Sequence, residues 1–214
     1  MKLACFVPFF TVLMLTGCAS AYYGTMEKMG YHKRDILIDR VESTRDAQAE
    51  AQVQFKSALE QFASVIQLED TDLKRAYEKL NQEYEDSQAA AEAVAERIDK
   101  VESVADALFD EWEQELELYQ NQKLQSASRK KLKETKQRYT KLLNTMRQAE
   151  KSMQPVLDNL RDNVLYLKHN LNAQAIGALR GEFSSLKSDI AHLLEKMNLS
   201  IQRSNQFIDS LKES

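Results

Sequence analysis

The sequence predicts an all-α protein, an elongated antiparallel helical bundle or coiled coil of three to four long helices. Three observations carry this. Turn formers are scarce, with five Gly and two Pro in 214 residues, so most of the chain has no local reason to reverse. Apolar residues recur at heptad spacing over many turns. No useful length of strand-like alternation occurs. Hydrophobic residues make up 43% of the chain and are periodic, which argues against disorder.

The first eighteen residues read as an address. Lys2 supplies a short positive start, and residues 3–15 are almost wholly apolar. That run suits a signal-peptide core and falls short of the ~20 residues that span a bilayer. It ends in Leu15-Thr16-Gly17-Cys18. This ending resembles the bacterial lipobox, and the resemblance implies cleavage before Cys18 and lipidation of its thiol. Both cysteines, Cys5 and Cys18, lie in this segment, so no later disulfide or cysteine zinc site can form. The expected division is a signal peptide at 1–17, a lipidated cysteine with its tether at 18–32 and a helical domain at 33–214. Tyr22, Tyr23 and Tyr31 of the tether suit either lipid headgroups or the end of the bundle. Ala19 and Ser20 follow the cysteine, whereas inner-membrane retention in enterobacteria resembles Cys-Asp. The similarity therefore implies an outer-membrane lipoprotein facing the periplasm of a Gram-negative cell.

The first helix is expected over about 33–68. Ile38, Leu59 and Ile66 share a column with Arg45 and Gln52, and Val41, Phe55 and Phe62 share another with Gln48. Its middle is polar and rich in alanine (Ala47, Ala49, Ala51), which predicts loose packing or exposure there. The second helix, about 72–122, is the clearest. Leu73, Leu80, Ser87, Val94, Val101, Leu108 and Glu115 form one column. Tyr77, Tyr84, Ala91, Ile98, Ala105, Trp112 and Tyr119 form the other. At 1.5 Å per residue it would run roughly 75 Å.

The third helix, about 128–170, aligns Leu132, Tyr139, Met146, Met153, Leu160 and Leu167, with Leu142, Ala149 and Val156 beside them. Pro155 inside it predicts a kink near Ser152. The fourth, about 173–212, aligns Ile176, Phe183, Ile190, Met197 and Leu211, with Leu179, Leu186, Leu193 and Phe207 beside them. Short linkers near 69–72, 123–128 and 168–173 favour antiparallel neighbours.

Charge supports one hairpin. Residues 102–117 are acidic and residues 123–141 are basic. Each block opposes the dipole of its own helix. An antiparallel hairpin would set the two blocks side by side and let them pair.

Chemistry is sparse. Phosphate-cradling glycine loops, a nucleophile elbow and a surviving nucleophilic cysteine are all missing from the sequence, so no enzyme and no cofactor is expected. Asp189 and His192 stand three apart on one helix, but a di-metal bundle site needs two such pairs with further carboxylates. The net charge of -4 argues against a nucleic-acid partner.

Candidate partner-docking residues gather at one corner and at one aromatic. His169 and Asn170 begin a stretch rich in Asn, Gln and Gly, and Ala173, Gly177 and Gly181 stand four apart. Such a stripe suits either a tight corner between helices or a docking patch. Trp112 occupies a heptad position, for the core or for a partner.

The stretches Tyr31-His32-Lys33-Arg34-Asp35-Ile36-Leu37, Ala107-Leu108-Phe109-Asp110-Glu111-Trp112-Glu113 and Leu167-Lys168-His169-Asn170-Leu171-Asn172-Ala173 resemble a proteobacterial family defined only as a domain of unknown function. The resemblance implies a helical periplasmic lipoprotein and carries over no activity or site. The expected function is a non-enzymatic scaffold or adaptor, held to the membrane by lipid on Cys18, with a protein partner or a second copy on its helical faces. The alternative is a BAR-like dimer that shapes membranes with a basic concave surface.

Overall fold

A computed structural model describes residues 32–67 and 73–213. They form four helices: α1 (Lys33–Val65), α2 (Leu73–Leu116), α3 (Gln122–His169) and α4 (Ala173–Lys212). Each packs on two neighbours, α1 on α2 and α4, and α3 on α2 and α4. The result is an antiparallel four-helix ring around one core. The longest member, α3, has 48 residues and so spans about 72 Å. One end carries the start of α1, the α2–α3 corner and the end of α4. Lys33 Nζ meets Glu111 at 2.8 Å and Lys212 Nζ meets Glu42 at 2.9 Å there. We call this the corner end. The distal end holds the α3–α4 turn and the last turn of α1.

The columns expected for α3 and α4 are the buried ones. Leu132, Tyr139, Met146, Met153, Leu160 and Leu167 are all buried, as are Leu179, Leu186, Leu193 and Phe207. In α2 the stripe starts at Leu73, Leu80, Ser87, Val94 and Val101, then passes to Ala105, Phe109 and Leu116. Leu108 is only half-buried and Glu115 is exposed. An α-helix drifts by ~20° per heptad against a strict seven-residue repeat, so a straight α2 trades one column for the next.

The middle of α1 is not loose. Thr44, Ala47, Gln48 and Ala51 are buried, against the expectation of exposure. Small side chains let the neighbouring helices come close, and closeness excludes water as well as bulk does. The true columns are Val41, Gln48, Phe55 and Phe62 beside Leu37, Thr44, Ala51, Ala58 and Val65. Thr44 Oγ1 donates to the Arg40 carbonyl at 2.8 Å. Among the described residues neither amide atom of Gln48 has a partner.

Pro155 does not divide α3, which is helical on both sides of it. The proline and Lys151, whose carbonyl loses its bond, are both exposed, so water can serve the carbonyl. The α2–α3 corner lies at 117–121 rather than 123–128. Asn121 stops the chain from running on: its side chain accepts from the Lys123 and Leu124 amides at 3.0 and 3.3 Å, the geometry of an N-cap.

Candidate functional site

The α2–α3 corner is built from both flanking helices. Leu116 closes the core at the end of α2 and is buried. Its carbonyl accepts from Gln125 Nε2 at 2.8 Å, so the turn is pinned from α3. Trp112 Nε1 donates to Ser128 Oγ at 2.8 Å. The indole is half-buried against the core, which favours the core role among the two expected for it. With Leu108, Lys131, Thr135 and Leu211 it lines a cavity of about 230 Å³ at the corner end. Beyond Leu116 the chain turns outward: Leu118, Tyr119 and Leu124 are 75%, 40% and 55% exposed.

The hairpin of opposite charge forms as the sequence predicts. Lys136 Nζ lies 2.6 Å from Glu113, and Arg129 lies 3.6 Å from Glu117. The densest cluster lies just past the expected basic block, at Arg147. Its guanidinium reaches Asp99 and Glu102 on α2 at 2.6 Å each and Glu150 on its own helix at 2.9 Å. Burial works against the charged guanidinium, but the bonds to Glu102, Asp99 and Glu150 outweigh it and raise its pKa. The basic block expected over 123–141 ends short of this cluster. The signal was present, since 99, 102 and 147 continue the same antiparallel register.

Two groups near this cluster are disfavoured as anions. Tyr139 is buried, with its ring edge-on to Phe109 at 5.3 Å, and its hydroxyl has no partner among the described residues. Burial first, then Asp106 and Glu102, raise its pKa. The Asp106 carboxyl is also raised, by burial and then by Glu102 and Asp110, with Lys136 opposing.

The α3–α4 turn treats its candidates differently. His169 ends α3 and is exposed. Asn170 caps that end, its Nδ2 donating to the Tyr166 carbonyl at 2.9 Å. Asn172 caps α4, its Oδ1 accepting from the Ala175 amide at 3.1 Å. Gly177 and Gly181 are exposed, and a Cβ at either would meet nothing within 4 Å. The stripe therefore does not make the expected tight corner: the α4 stripe that buries is Ile176, Leu179 and Phe183, and the glycines fall on the other side. Structure thus brings His169 and Asn170 to one turn, sets Gly177 and Gly181 on the outer face of α4, and leaves Trp112 at the opposite end.

His192 is exposed. Among the described residues no group of three His, Cys, Asp or Glu is placed to hold a metal ion. No described helix is long and apolar enough to cross a membrane. Cys18 and the expected signal peptide and tether up to Tyr31 lie outside the described residues.

A family profile described as protein of unknown function (DUF2959) matches residues 22–211. No curated protein and no solved structure matches the chain.

Proposed function

We propose that this chain, which belongs to the DUF2959 family, is a lipoprotein anchored through Cys18 that acts as a non-enzymatic helical scaffold on the periplasmic face of the outer membrane. The observation that carries the reading is Leu15-Thr16-Gly17-Cys18 directly after an apolar run of signal-peptide length. Two further facts support it. The family match begins at residue 22, just beyond that segment. The bundle begins at Lys33, so a short tether would hold about 70 Å of helix close to the anchor.

The shape of the surface supports the scaffold reading. Four long helices present extended faces, and exposed apolar residues such as Val53 and Leu199 dot them singly rather than filling one cleft. The dimeric membrane-shaping reading is weaker. Its basic surface would come from residues 123–141, where Lys136 and Arg129 already face Glu113 and Glu117. The ring also completes a core within one chain, which leaves less apolar face for a second copy.

Cys18→Ser tests the anchor. In a Gram-negative host the parent chain should fractionate with membranes, and its N-terminal peptide should carry acyl mass. The variant should appear in the soluble fraction without it. A variant that stays in the membrane, or a parent whose Cys18 bears no lipid, sinks the proposal.

A further inference from the structure

The four helices do not end level at the corner end. Arg34 of α1, Lys131 of α3 and Leu211 of α4 line one cavity of about 230 Å³. At that level α1 has just begun and α4 is about to stop, at Lys33 and Lys212. The third helix, α3, reaches back to Gln122, so about two and a half of its turns overhang the ends of α1 and α4. Leu124 stands seven residues before Lys131 and so on the same side of α3, and it is exposed. The overhang thus carries an apolar side with no helix beside it.

The cavity beneath the overhang selects its occupant by polarity. Leu108, Trp112 and Leu211 supply apolar walls. The charged residues lining it are balanced, Arg34 and Lys131 against Glu111 and Glu115. A side chain that is apolar, with at most one polar tip, suits such a site better than an ion does.

The segment that enters the bundle here has that chemistry. Residues 22–31 hold Tyr22, Tyr23, Met26, Met29 and Tyr31, against one acid and one base, Glu27 and Lys28. The family profile starts at residue 22, so this stretch belongs to the shared domain although α1 starts only at Lys33. The start of α1 also lacks a side-chain cap: His32 is the N-cap and its side chain makes no capping bond. A helix can be fixed there instead by a hydrophobic staple, in which the residue before the N-cap packs on the fourth helical residue. Those two positions are Tyr31 and Ile36, and Ile36 is buried. Tyr31 precedes Arg34 by three residues, so its ring need travel no more than about 10 Å to the cavity.

We infer that residues 22–31 cover the corner end, and that Tyr31, stapled on Ile36, seats its ring in the cavity against Trp112 and Leu211. The inference rests on the anchored reading only for its consequence. With this cover in place, the span from Cys18 to Tyr22 is at most about 14 Å, and the lipid is joined to a fixed point on the bundle.

Trp112, the single tryptophan, reports the seat in the full chain. The variants are Tyr31→Ala, Tyr31→Phe and a chain whose residues 22–31 are replaced by a Gly-Ser linker of equal length. Tyr31→Ala and the linker chain should each show about a twofold rise in acrylamide quenching, with a red shift, because the indole loses its cover from water. Tyr31→Phe should keep the parent value, since the ring remains. Circular dichroism should show unchanged helix content. Parent-like quenching in both Tyr31→Ala and the linker chain overturns the inference. A rise in the linker chain alone overturns the seat given to Tyr31. Hydrogen exchange in the unaltered chain guards against variants that fold poorly: amides within residues 22–31 should be protected, and exchange at the rate of an open chain overturns the cover. Both readouts are intramolecular and apply equally to the acylated chain and to Cys18→Ser. A Cys18 without lipid therefore sinks the anchored reading and leaves the cover standing, while unprotected residues 22–31 in an acylated chain do the reverse.

Discussion

The two ends of the bundle are held by different means. At the corner end, charged side chains cross between helices: Lys33 to Glu111, Lys212 to Glu42 and Lys136 to Glu113. At the distal end the principal contacts are apolar. Phe62 stacks on Phe183 with ring centroids 6.1 Å apart, and Leu160, Leu167 and Leu179 are fully buried. Open grooves flank this packing. One, of about 570 Å³, runs between α3 and α4 beside Asn163 and Tyr166, and another, of about 410 Å³, between α2 and α3 beside Tyr84 and Leu157. A seven-residue apolar repeat thus gives a core along the whole length but does not say which neighbour, register or direction to adopt. Exposed ion pairs give only ~0–1 kcal/mol each, yet their signs discriminate between arrangements that apolar stripes alone leave similar.

The largest effect should come from the apolar end. Phe62→Ala removes a fully buried ring and is expected to cost about 3–5 kcal/mol in denaturant unfolding. That loss should not depend on salt, because no charge is involved. A loss below ~1 kcal/mol would mean that the distal core is not packed as described.

Between the two ends lies a polar level. The bonds Arg45–Asn205 and Gln52–Asn198 fix the register of α1 against α4, and place Gln48 level with Ser200 and Ser204. All three are fully buried. Ser204 Oγ donates to the Ser200 carbonyl at 3.0 Å, but Ser200 Oγ and the Gln48 amide are unpartnered among the described residues. An unsatisfied buried polar group costs about 1–3 kcal/mol. Gln48→Met keeps the shape and removes the amide, so it should stabilise the bundle by an amount in that range. Destabilisation instead would show that the amide is satisfied in solution.

These residues also show how far the sequence was legible. The columns of α3 and α4 could be read directly, because Leu, Met, Ile and Phe recur along their buried stripes. In α1 the expected column is displaced by one residue: Ile38 is buried and Leu59 and Ile66 pack half-buried against the core, while the fully buried stripe runs through Leu37, Thr44, Ala51, Ala58 and Val65. Close approach of helices buries small and polar side chains, and a ranking by hydrophobicity does not detect closeness. The corner moved for a related reason. Leu118 and Tyr119 look like continued heptad, while the stop came from a single side-chain cap at Asn121. At the candidate sites, the hairpin of opposite charge was readable from blocks of sign. The outward face of Gly177 and Gly181 was not, because spacing of four defines a stripe without saying which side of the helix it faces.

The clasp around Arg147 separates specificity from strength. Arg147→Ala leaves Asp99, Glu102 and Glu150 facing one another without their cation. The expected loss is about 1 kcal/mol at low ionic strength, shrinking as salt screens the remaining repulsion. A loss that stays constant from low to high salt would assign the effect to packing of the arginine stem instead.

The smallest effect should come from Asp106, within the acidic row that the clasp only partly neutralises. Its folded pKa is raised, chiefly by burial and then by Glu102 and Asp110. The folded state therefore binds this proton more tightly than the unfolded chain does. The stability from that proton is fully present below the ordinary aspartate range and is lost as pH rises through the folded value. At neutral pH the ionised carboxylate is thus a net cost to the fold. Asp106→Asn should raise the melting midpoint slightly at pH 7. The gain should vanish near pH 3, where the parent residue is itself mostly protonated. A gain of equal size at both pH values would place its origin in hydrogen bonding by the new amide rather than in charge. A decrease at pH 7 would mean that Lys136, which favours the ionised form, dominates at this position. The acidic row would then be neutralised as fully near Lys136 as it is at Arg147, and the ionic contribution of the corner end would be larger than the pairs with Glu113 and Glu117 alone suggest.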